Sequence, residues 1–184
     1  MGDANSRIQR SVRKEKHRLS VLAIYGASGL GREVLELAKI INKANMDIQG
    51  AERWAEFIFI DDGNVPEVVA GYNVYKYEAA KEKYSGSLEI AMGIGEPTTR
   101  EKLFGKIRDD HISTPTLVHP EVYIPESTKL GTGVIVQAGC FVSVGATIED
   151  YVFLQPHCAI GHDCVIGCGS IISTFDSIAG AVKI

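Results

Sequence analysis

An aliphatic residue recurs at every sixth position through the last third of the sequence. The series is Val118, Ile124, Leu130, Val136, Val142, Ile148, Leu154, Ile160, Ile166, Ile172, Ile178 and Ile184. The residue two positions earlier is mostly small or β-branched, and Cys140, Cys158 and Cys164 all occupy that place. A six-residue period excludes an α-helix, whose buried face recurs near every 3.6 residues. It predicts a parallel β-helix of short strands and tight corners, with roughly 18 residues per turn.

A different pattern, strand then glycine turn then helix, begins the earlier part of the chain. The apolar run LSVLAIY at 19–25 precedes the turn GASGLG, and REVLELAKIINK follows with helical spacing. Glycine lets a backbone approach a phosphate, and the start of a helix offers free N–H groups. The sequence therefore predicts substrate contacts from the residues of this turn, which are Gly26, Ala27, Ser28, Gly29 and Gly31.

Two further apolar runs predict strands that end at the same edge as the glycine turn. FIFI at 57–60 leads into Asp61 and Asp62, and acids in that place commonly contact a ribose. SLEIAMGIG at 87–95 ends with Gly93 and Gly95. These elements predict a small Rossmann-like α/β domain with a parallel sheet over 19–111 and a nucleotide-type ligand. A purely structural α/β domain remains the alternative.

The remaining divisions follow from charge and from the six-residue repeat. Residues 1–18 carry six basic and two acidic side chains and predict a disordered extension, whereas the rest carries 13 basic and 21 acidic ones. An acidic body disfavours nucleic acid as a partner. A linker is expected at 112–117 and the β-helix at 118–184. Because no signal peptide or membrane span is visible, the sequence predicts a cytoplasmic protein with reduced thiols.

Five stretches together resemble one known family: IYGASGLGREVLELA, FIDD, AMGIGEPTTREKL, LVHPEVYI and AIGHDCVIG. The chain is similar to hexapeptide-repeat sugar acetyltransferases, namely PglD-type sugar-nucleotide N-acetyltransferases and their sialic acid O-acetyltransferase relatives. The resemblance implies that the β-helix is left-handed and forms a homotrimer, with acetyl-CoA between neighbouring helices. It also implies that the first domain holds a nucleotide-linked amino sugar. Family members add further coils, so a truncated β-helix is expected here.

The resemblance also implies roles for particular residues. His162 is the expected general base, Asp163 orients it, and Gly180 lines the acetyl-CoA site. An imidazole can take a proton near neutral pH, and a carboxylate beside it fixes its tautomer. Gln155 stands where the family often has an asparagine near the acceptor, and Ile171 replaces a frequent second histidine at the cofactor site. Asp176 places an acid in a small inward position, which predicts a distorted coil at 172–177.

Several alternatives remain open from the sequence alone. His157 and His162 have the spacing found in γ-class carbonic anhydrases, which bind zinc, but a third histidine ligand is missing from the preceding coils. No metal is therefore expected, and the inward cysteines are interpreted as core residues. The leading hypothesis is acetyl transfer to the amino group of a nucleotide-linked sugar. The alternatives are O-acetylation of sialic acid or a related sugar, a zinc protein, and a non-catalytic sugar-nucleotide-binding protein.

Overall fold

A computed structural model of the chain describes residues 20–184, and the predicted basic extension at 1–18 lies outside them. The first domain is a five-stranded sheet in the order β3-β4-β2-β1-β5, parallel except between β3 and β4. Its strands are β1 (Ser20–Tyr25), β2 (Trp54–Ile60), β3 (Val68–Val69), β4 (Tyr72–Tyr75) and β5 (Leu88–Met92). Its helices are α1 (Gly29–Gln49), α2 (Tyr77–Lys83) and α3 (Pro97–Asp109).

Apolar side chains bury both faces of this sheet. On one face, α1 packs through an apolar stripe that includes Val34, Leu35 and Ala38. On the other face, α2 and α3 cover alternate residues of the strands, with Tyr77 and Ile107 buried against Ile90. Burial on both faces explains why β1, β2 and β5 read as largely apolar runs in the sequence.

The second domain is a coil of two-residue parallel strands. They are β6 (Leu117–Val118), β7 (Lys129–Leu130), β8 (Ile135–Val136), β9 (Phe141–Val142), β10 (Thr147–Ile148), β11 (Phe153–Leu154), β12 (Ala159–Ile160), β13 (Val165–Ile166), β14 (Ile171–Ile172) and β15 (Ser177–Ile178). They form three sheets, in the orders β13-β10-β7, β14-β11-β8-β6 and β15-β12-β9. Each strand pairs with the one 18 residues away, as Phe153 does with Ile135 and Ile171. The predicted six-residue period and three-sided turn are therefore confirmed.

The second residue of nearly every strand points into the coil and stacks on its equivalents. Val136, Leu154 and Ile172 form one such column in a buried cluster with the inward cysteines. Cys158 and Cys164 are buried, and burial raises the pKa of the Cys158 thiol to about 12. Both side chains pack as small core residues, and the Cys158 thiol remains protonated at neutral pH.

From Gly133 onward, each corner of the coil contains one residue in the left-handed region of backbone conformation. These residues are six apart: Gly133, Gly139, Gly145, Tyr151, His157, Asp163, Gly169, Phe175 and Ala181. Glycine adopts this conformation freely, whereas other residues seldom do. Only four of the nine are glycine, so the coil imposes the conformation on the other five. Backbone hydrogen bonds between coils hold these corners, as from Asp163 N–H to the Val144 carbonyl at 3.0 Å.

The distortion predicted around Asp176 is wrong. Strand β15, which follows it directly, pairs with β12 in the regular 18-residue register. Asp176 is exposed, and its carboxylate accepts a hydrogen bond from the Ser173 N–H at 3.1 Å. The acid is tolerated because its carboxylate reaches water and does not enter the apolar core.

One of the hydrophobic clusters contains residues from both domains. Outward-facing Leu117, Ile135 and Phe153 from the coil join the cluster formed by α1 and β1. The sheet is also extended toward the coil by a parallel bridge between Glu89 and Ser113. This shared core fixes the corner of the coil after β8 and β11 beside the first turns of α1.

Candidate active site

The glycine turn between β1 and α1 packs against the loop after β5. A Cβ atom added to Gly31 would collide with the carbonyl oxygen of Gly26. One added to Gly93 would lie 2.6 Å from the Gly31 Cα. Gly26 itself has a φ of 108° and donates its N–H to the Ile60 carbonyl at 2.7 Å. Three of the predicted substrate-binding glycines are therefore needed for the fold itself.

Gly29 and Gly95 differ from those three glycines because the fold does not require them. A Cβ on Gly29 would meet no atom within 4 Å, and one on Gly95 would meet only Leu30 Cδ2, at 3.5 Å. Ser28 is the N-cap of α1, yet its side chain makes no capping hydrogen bond. No side-chain cap therefore occupies the first N–H groups of α1, and such uncapped groups can bind an anion.

Alanine substitutions should separate these two kinds of glycine. Gly29→Ala is expected to keep or slightly raise the melting temperature, since alanine has the higher helix propensity. Gly31→Ala is expected to lower the free energy of unfolding by about 2 kcal/mol or more, because its methyl group overlaps backbone. Thermal unfolding followed by circular dichroism measures both, and equal melting temperatures for the two variants would contradict the assignment.

The two acids after β2 hold the loops of the sheet edge. Asp61 accepts hydrogen bonds from the N–H groups of Ala27 at 3.0 Å and Gly63 at 2.8 Å. Asp62 accepts from the Tyr25 hydroxyl and from the Tyr77 N–H. Burial opposes the charged form of Asp62, but these hydrogen bonds, together with the charges of Lys106 and Lys76, outweigh it and lower its pKa. Asp61 adjoins the glycine turn, whereas Asp62 is turned toward Tyr25 and Tyr77.

His162 and Asp163 form a pair at the corner after β12. The Nδ1 atom of His162 lies 2.9 Å from Oδ2 of Asp163, and both side chains are largely exposed. The imidazole lies directly over Gly180, one coil further on, where a Cβ would collide with the ring. Asp163 in turn occupies the space that a side chain on Gly145 would need. Glycines above and below therefore leave room for the pair, which the sequence predicted.

Gln155 and Ile171 lie on other parts of the coil than His162. Gln155 is at the preceding corner, where its Oε1 accepts a hydrogen bond from the Thr174 N–H at 3.2 Å. Ile171 is half-buried on the outer face of β14, where it packs against the core shared with α1. Within one chain the structure brings Gly180, but neither Gln155 nor Ile171, to the corner of the expected base.

The two histidines of the γ-anhydrase alternative do not converge. His157 is exposed at the corner after β11, where its ring stacks on Phe175 with centroids 5.2 Å apart. His162 stands one corner further along, over Gly180. Within residues 20–184, no group of three or more histidine, cysteine, aspartate or glutamate side chains is arranged to hold a metal ion.

A cleft of about 450 Å³ runs between α1 and the corners of the coil. Gly29, a position at which the fold itself does not require glycine, is one of the residues that line it. Its lining residues are Gly29, Arg32, Glu33, Glu36, Leu37, Ile40, His119, Gln137, Ala138 and Pro156. The cleft was not predicted from the sequence, because it depends on how the two domains pack.

The role of Arg100 was also not predicted from the sequence. Its side chain is 2% exposed and donates to the carbonyls of Ile94 at 2.8 Å and Tyr151 at 2.7 Å. Burial lowers the pKa of its guanidinium to about 10, so it stays charged at neutral pH. The sequence did contain a pattern that indicates burial of Arg100. Arg100, Phe104 and Ile107 have the i, i+4, i+7 spacing of a buried helix stripe. Arg100 ties the loop after β5 to the coil.

The fold and the site define a class of two-domain proteins, in which a nucleotide-binding type of sheet precedes a β-helix with a histidine–aspartate corner. Residues 21–107 match the model of the PglD N-terminal domain. The first domain of the chain is therefore similar to the PglD N-terminal domain.

Relatives with solved structures extend the similarity over nearly the whole chain. PerB from Caulobacter crescentus, in complex with CoA and GDP-perosamine, aligns with a TM-score of 0.76 at 24% identity, over 90% of this chain and 74% of PerB. The acetyltransferase domain of PglB from Neisseria gonorrhoeae, in complex with acetyl coenzyme A, aligns with a TM-score of 0.60 at 21% identity, over 89% and 86%. These likenesses confirm the predicted fold class, a parallel-sheet domain followed by a left-handed β-helix.

A curated relative agrees with this assignment. GDP-perosamine N-acetyltransferase of Escherichia coli O157:H7 is 22% identical over 149 residues, which are 81% of this chain and 65% of the relative. The chain thus spans about two thirds of the length of that protein. Together the comparisons confirm the resemblance to hexapeptide-repeat sugar acetyltransferases that the motifs indicated.

Proposed function

We propose that the protein transfers the acetyl group of acetyl-CoA to the amino group of a nucleotide-linked sugar. The observation that carries the proposal is the pair of His162 and Asp163, held between Gly145 and Gly180 at an exposed corner of the coil. The similarity to PerB, whose structure contains CoA and GDP-perosamine, supports both substrates. The proposed transfer from a thioester to an amine uses a histidine base and does not call for a metal ion.

The geometry of the pair fits the proton transfer that the reaction requires. An amine attacks a thioester only after losing its extra proton, and an imidazole with a free ring nitrogen can take it. Asp163 faces Nδ1, so it favours the tautomer with the proton on that atom and leaves Nε2 to accept another. As Nε2 becomes protonated, the carboxylate stabilises the resulting positive charge. The lack of a side chain on Gly180 leaves room for the imidazole ring of His162.

The proposed site needs more than one copy of the chain. The glycine turn lies beside the corners after β8 and β11, whereas His162 lies at the corner after β12, across one full side of the coil. That side exposes two large aromatic residues in one column, Tyr123 and Phe141, with 77% and 62% of their surface accessible. Such an apolar surface is typical of a contact between subunits. We therefore include a homotrimer in the proposal, with His162 of one copy facing the glycine turn of another.

Light scattering tests the assembly at the concentration used for activity. The trimer proposal expects the mass of three chains, and an active monomer would overturn it.

A cytoplasmic location is also part of the proposal, because four cysteine thiols are free in residues 20–184. As for membrane crossing, none of the helices in that range has the length and apolar character to span a bilayer.

Release of CoA tests the reaction itself. The full-length chain is mixed with acetyl-CoA and, in turn, with UDP- and GDP-linked amino sugars, free sialic acid, and nucleotide sugars whose amino group is already acetylated. We expect turnover with at least one nucleotide amino sugar and none with its acetylated form. Turnover with sialic acid alone would replace the proposal by O-acetylation. No turnover with any acceptor would leave a sugar-nucleotide-binding protein.

A further inference from the structure

We propose that Arg100 is a positioning residue, which orients the peptide group between Ile94 and Gly95 so that its N–H donates a hydrogen bond to the diphosphate of the nucleotide-linked sugar. This role rests on the proposed function and gives Arg100 a part in ligand binding as well as in stability. The Arg100 side chain is 2% exposed, so it is too deeply buried to touch a ligand itself. Its effect on binding must pass through the groups that it holds.

The buried guanidinium of Arg100 is held by carbonyl groups. It donates to the carbonyl oxygens of Ile94 at 2.8 Å and Tyr151 at 2.7 Å. Its Nε atom is buried without a hydrogen-bond partner in residues 20–184, and no carboxylate of that range is close enough to affect its charge. A buried charge with so few acceptors depends strongly on each of them, because no water replaces a lost one. The Ile94 carbonyl is therefore fixed in the direction of Arg100.

The direction of this carbonyl determines the direction of the N–H group that follows it. A peptide unit is planar and trans, so the C=O of Ile94 and the N–H of Gly95 point in opposite directions. The carbonyl points toward the buried guanidinium, and the N–H consequently points away from it. Gly95 is exposed, and within residues 20–184 its N–H is hydrogen-bonded to no acceptor. The loop after β5 thus presents a free N–H donor.

This free donor lies beside the start of α1. A Cβ atom on Gly95 would be 3.5 Å from Cδ2 of Leu30, in the first turn of that helix. The Ile94 side chain packs against the glycine turn, with its Cγ1 atom 2.7 Å from the place of a Cβ on Gly26. The first N–H groups of α1 also lack a side-chain cap. Free N–H groups of two neighbouring loops therefore lie at one edge, which suits the several oxygens of a diphosphate.

The start of α3, which follows the same loop, is already capped. The carboxylate of Glu96 accepts hydrogen bonds from the N–H groups of Thr98 at 3.0 Å and Thr99 at 2.6 Å. These bonds, chiefly those with Thr99, lower the pKa of Glu96 to about 2, so it is ionised at neutral pH. An anion has no free N–H group to bind there and meets a negative charge. Gly95 is therefore the donor that this loop offers to a diphosphate.

The test compares Arg100→Met with Ile166→Ala in the full-length chain. Ile166 is fully buried inside the coil, so its truncation is expected to lower the melting temperature by a similar amount. Calorimetry, at a temperature at which both variants remain folded, measures the affinity for UDP, for GDP and for acetyl-CoA. Arg100→Met is expected to bind the recognised nucleoside diphosphate roughly tenfold more weakly and to bind acetyl-CoA normally. Ile166→Ala is expected to bind both ligands as the unmodified protein does.

A second substitution tests whether Arg100 acts through the Gly95 N–H. Gly95→Pro removes that N–H and is expected to weaken diphosphate binding by a similar factor. Because the two changes remove the same hydrogen bond to the ligand, the double variant Gly95→Pro/Arg100→Met should bind about as well as either single variant. In the assay of CoA release, Arg100→Met should raise the KM for the nucleotide amino sugar and keep its kcat, since His162 lies at another corner.

Normal binding of the diphosphate by Arg100→Met, or an equal loss of affinity in Ile166→Ala, would overturn the role of Arg100. Additive losses in the double variant would also overturn it, because Arg100 would then act through another group. If the unmodified protein bound the diphosphate but released no CoA with any amino sugar, the proposed function would fail while the role of Arg100 stood. Failure of the unmodified protein to bind UDP, GDP or the amino sugars linked to them would overturn both.

Discussion

Acetyl transfer by a His162→Ala variant is expected to fall by a factor of roughly 10² to 10⁴ in kcat, the usual contribution of a general base. The variant loses the imidazole that takes the proton of the amine, while the coil loses nothing it needs. His162 is exposed, its side chain is hydrogen-bonded to Asp163, and its ring lies over the backbone of Gly180. The melting temperature and the affinity for the nucleotide sugar should therefore remain unchanged.

Two further variants test the role of the carboxylate beside His162 and provide a control histidine. Asp163→Asn keeps the shape of the corner but removes the charge beside Nδ1, and a smaller loss of kcat is expected. His111→Asn changes a histidine in a turn far from this corner, at a left-handed position that asparagine tolerates, and full activity is expected. Initial rates of CoA release, with acceptor at saturation, measure all three. A His162→Ala enzyme with undiminished kcat would exclude His162 as the base.

Loss of the buried guanidinium at Arg100 is expected to destabilise the protein by about 2–4 kcal/mol. In Arg100→Met the carbonyls of Ile94 and Tyr151 lose their donors inside the interface of the two domains. The arginine also stands over the ring of Phe104, which stacks on Tyr151 with centroids 3.9 Å apart. For a chain of this size the melting temperature should fall by roughly 5 to 15 °C.

The same helix supplies the control for Arg100. Arg108 lies two turns further along α3, its side chain is exposed, and its nearest carboxylate oxygen is 4.0 Å away, on Asp109. Arg108→Met should change the free energy of unfolding by less than about 0.5 kcal/mol, as surface substitutions usually do. Urea titrations of both variants measure the difference. Equal midpoints for Arg100→Met and Arg108→Met would show that the bridge between the domains contributes nothing to stability.

Most of the architecture could be predicted because its signals are periodic and local. The six-residue spacing of aliphatic residues fixed the coil, since only a three-sided turn brings them all inward. The strand–glycine–helix order likewise indicated the sheet domain and its glycine turn. The distortion expected at Asp176 failed because the sequence shows that an acid is present but not that its carboxylate reaches water.

The candidate site was less predictable, because its residues derive their roles from contacts between distant parts of the chain. The sequence treated all the glycines of the turn alike, whereas packing requires Gly31 and leaves Gly29 free to make room for a ligand. The corner of His162 was foreseen, but its separation from the glycine turn by a whole side of the coil was not.

The sequence by itself determined the repeat, the order of the two domains and the histidine–aspartate pair, because each depends on spacing along the chain. Only the tertiary structure decided that a cleft opens between α1 and the coil and that Arg100 joins the two domains. Both facts depend on how the coil packs against α1 and α3, and no local pattern encodes that packing.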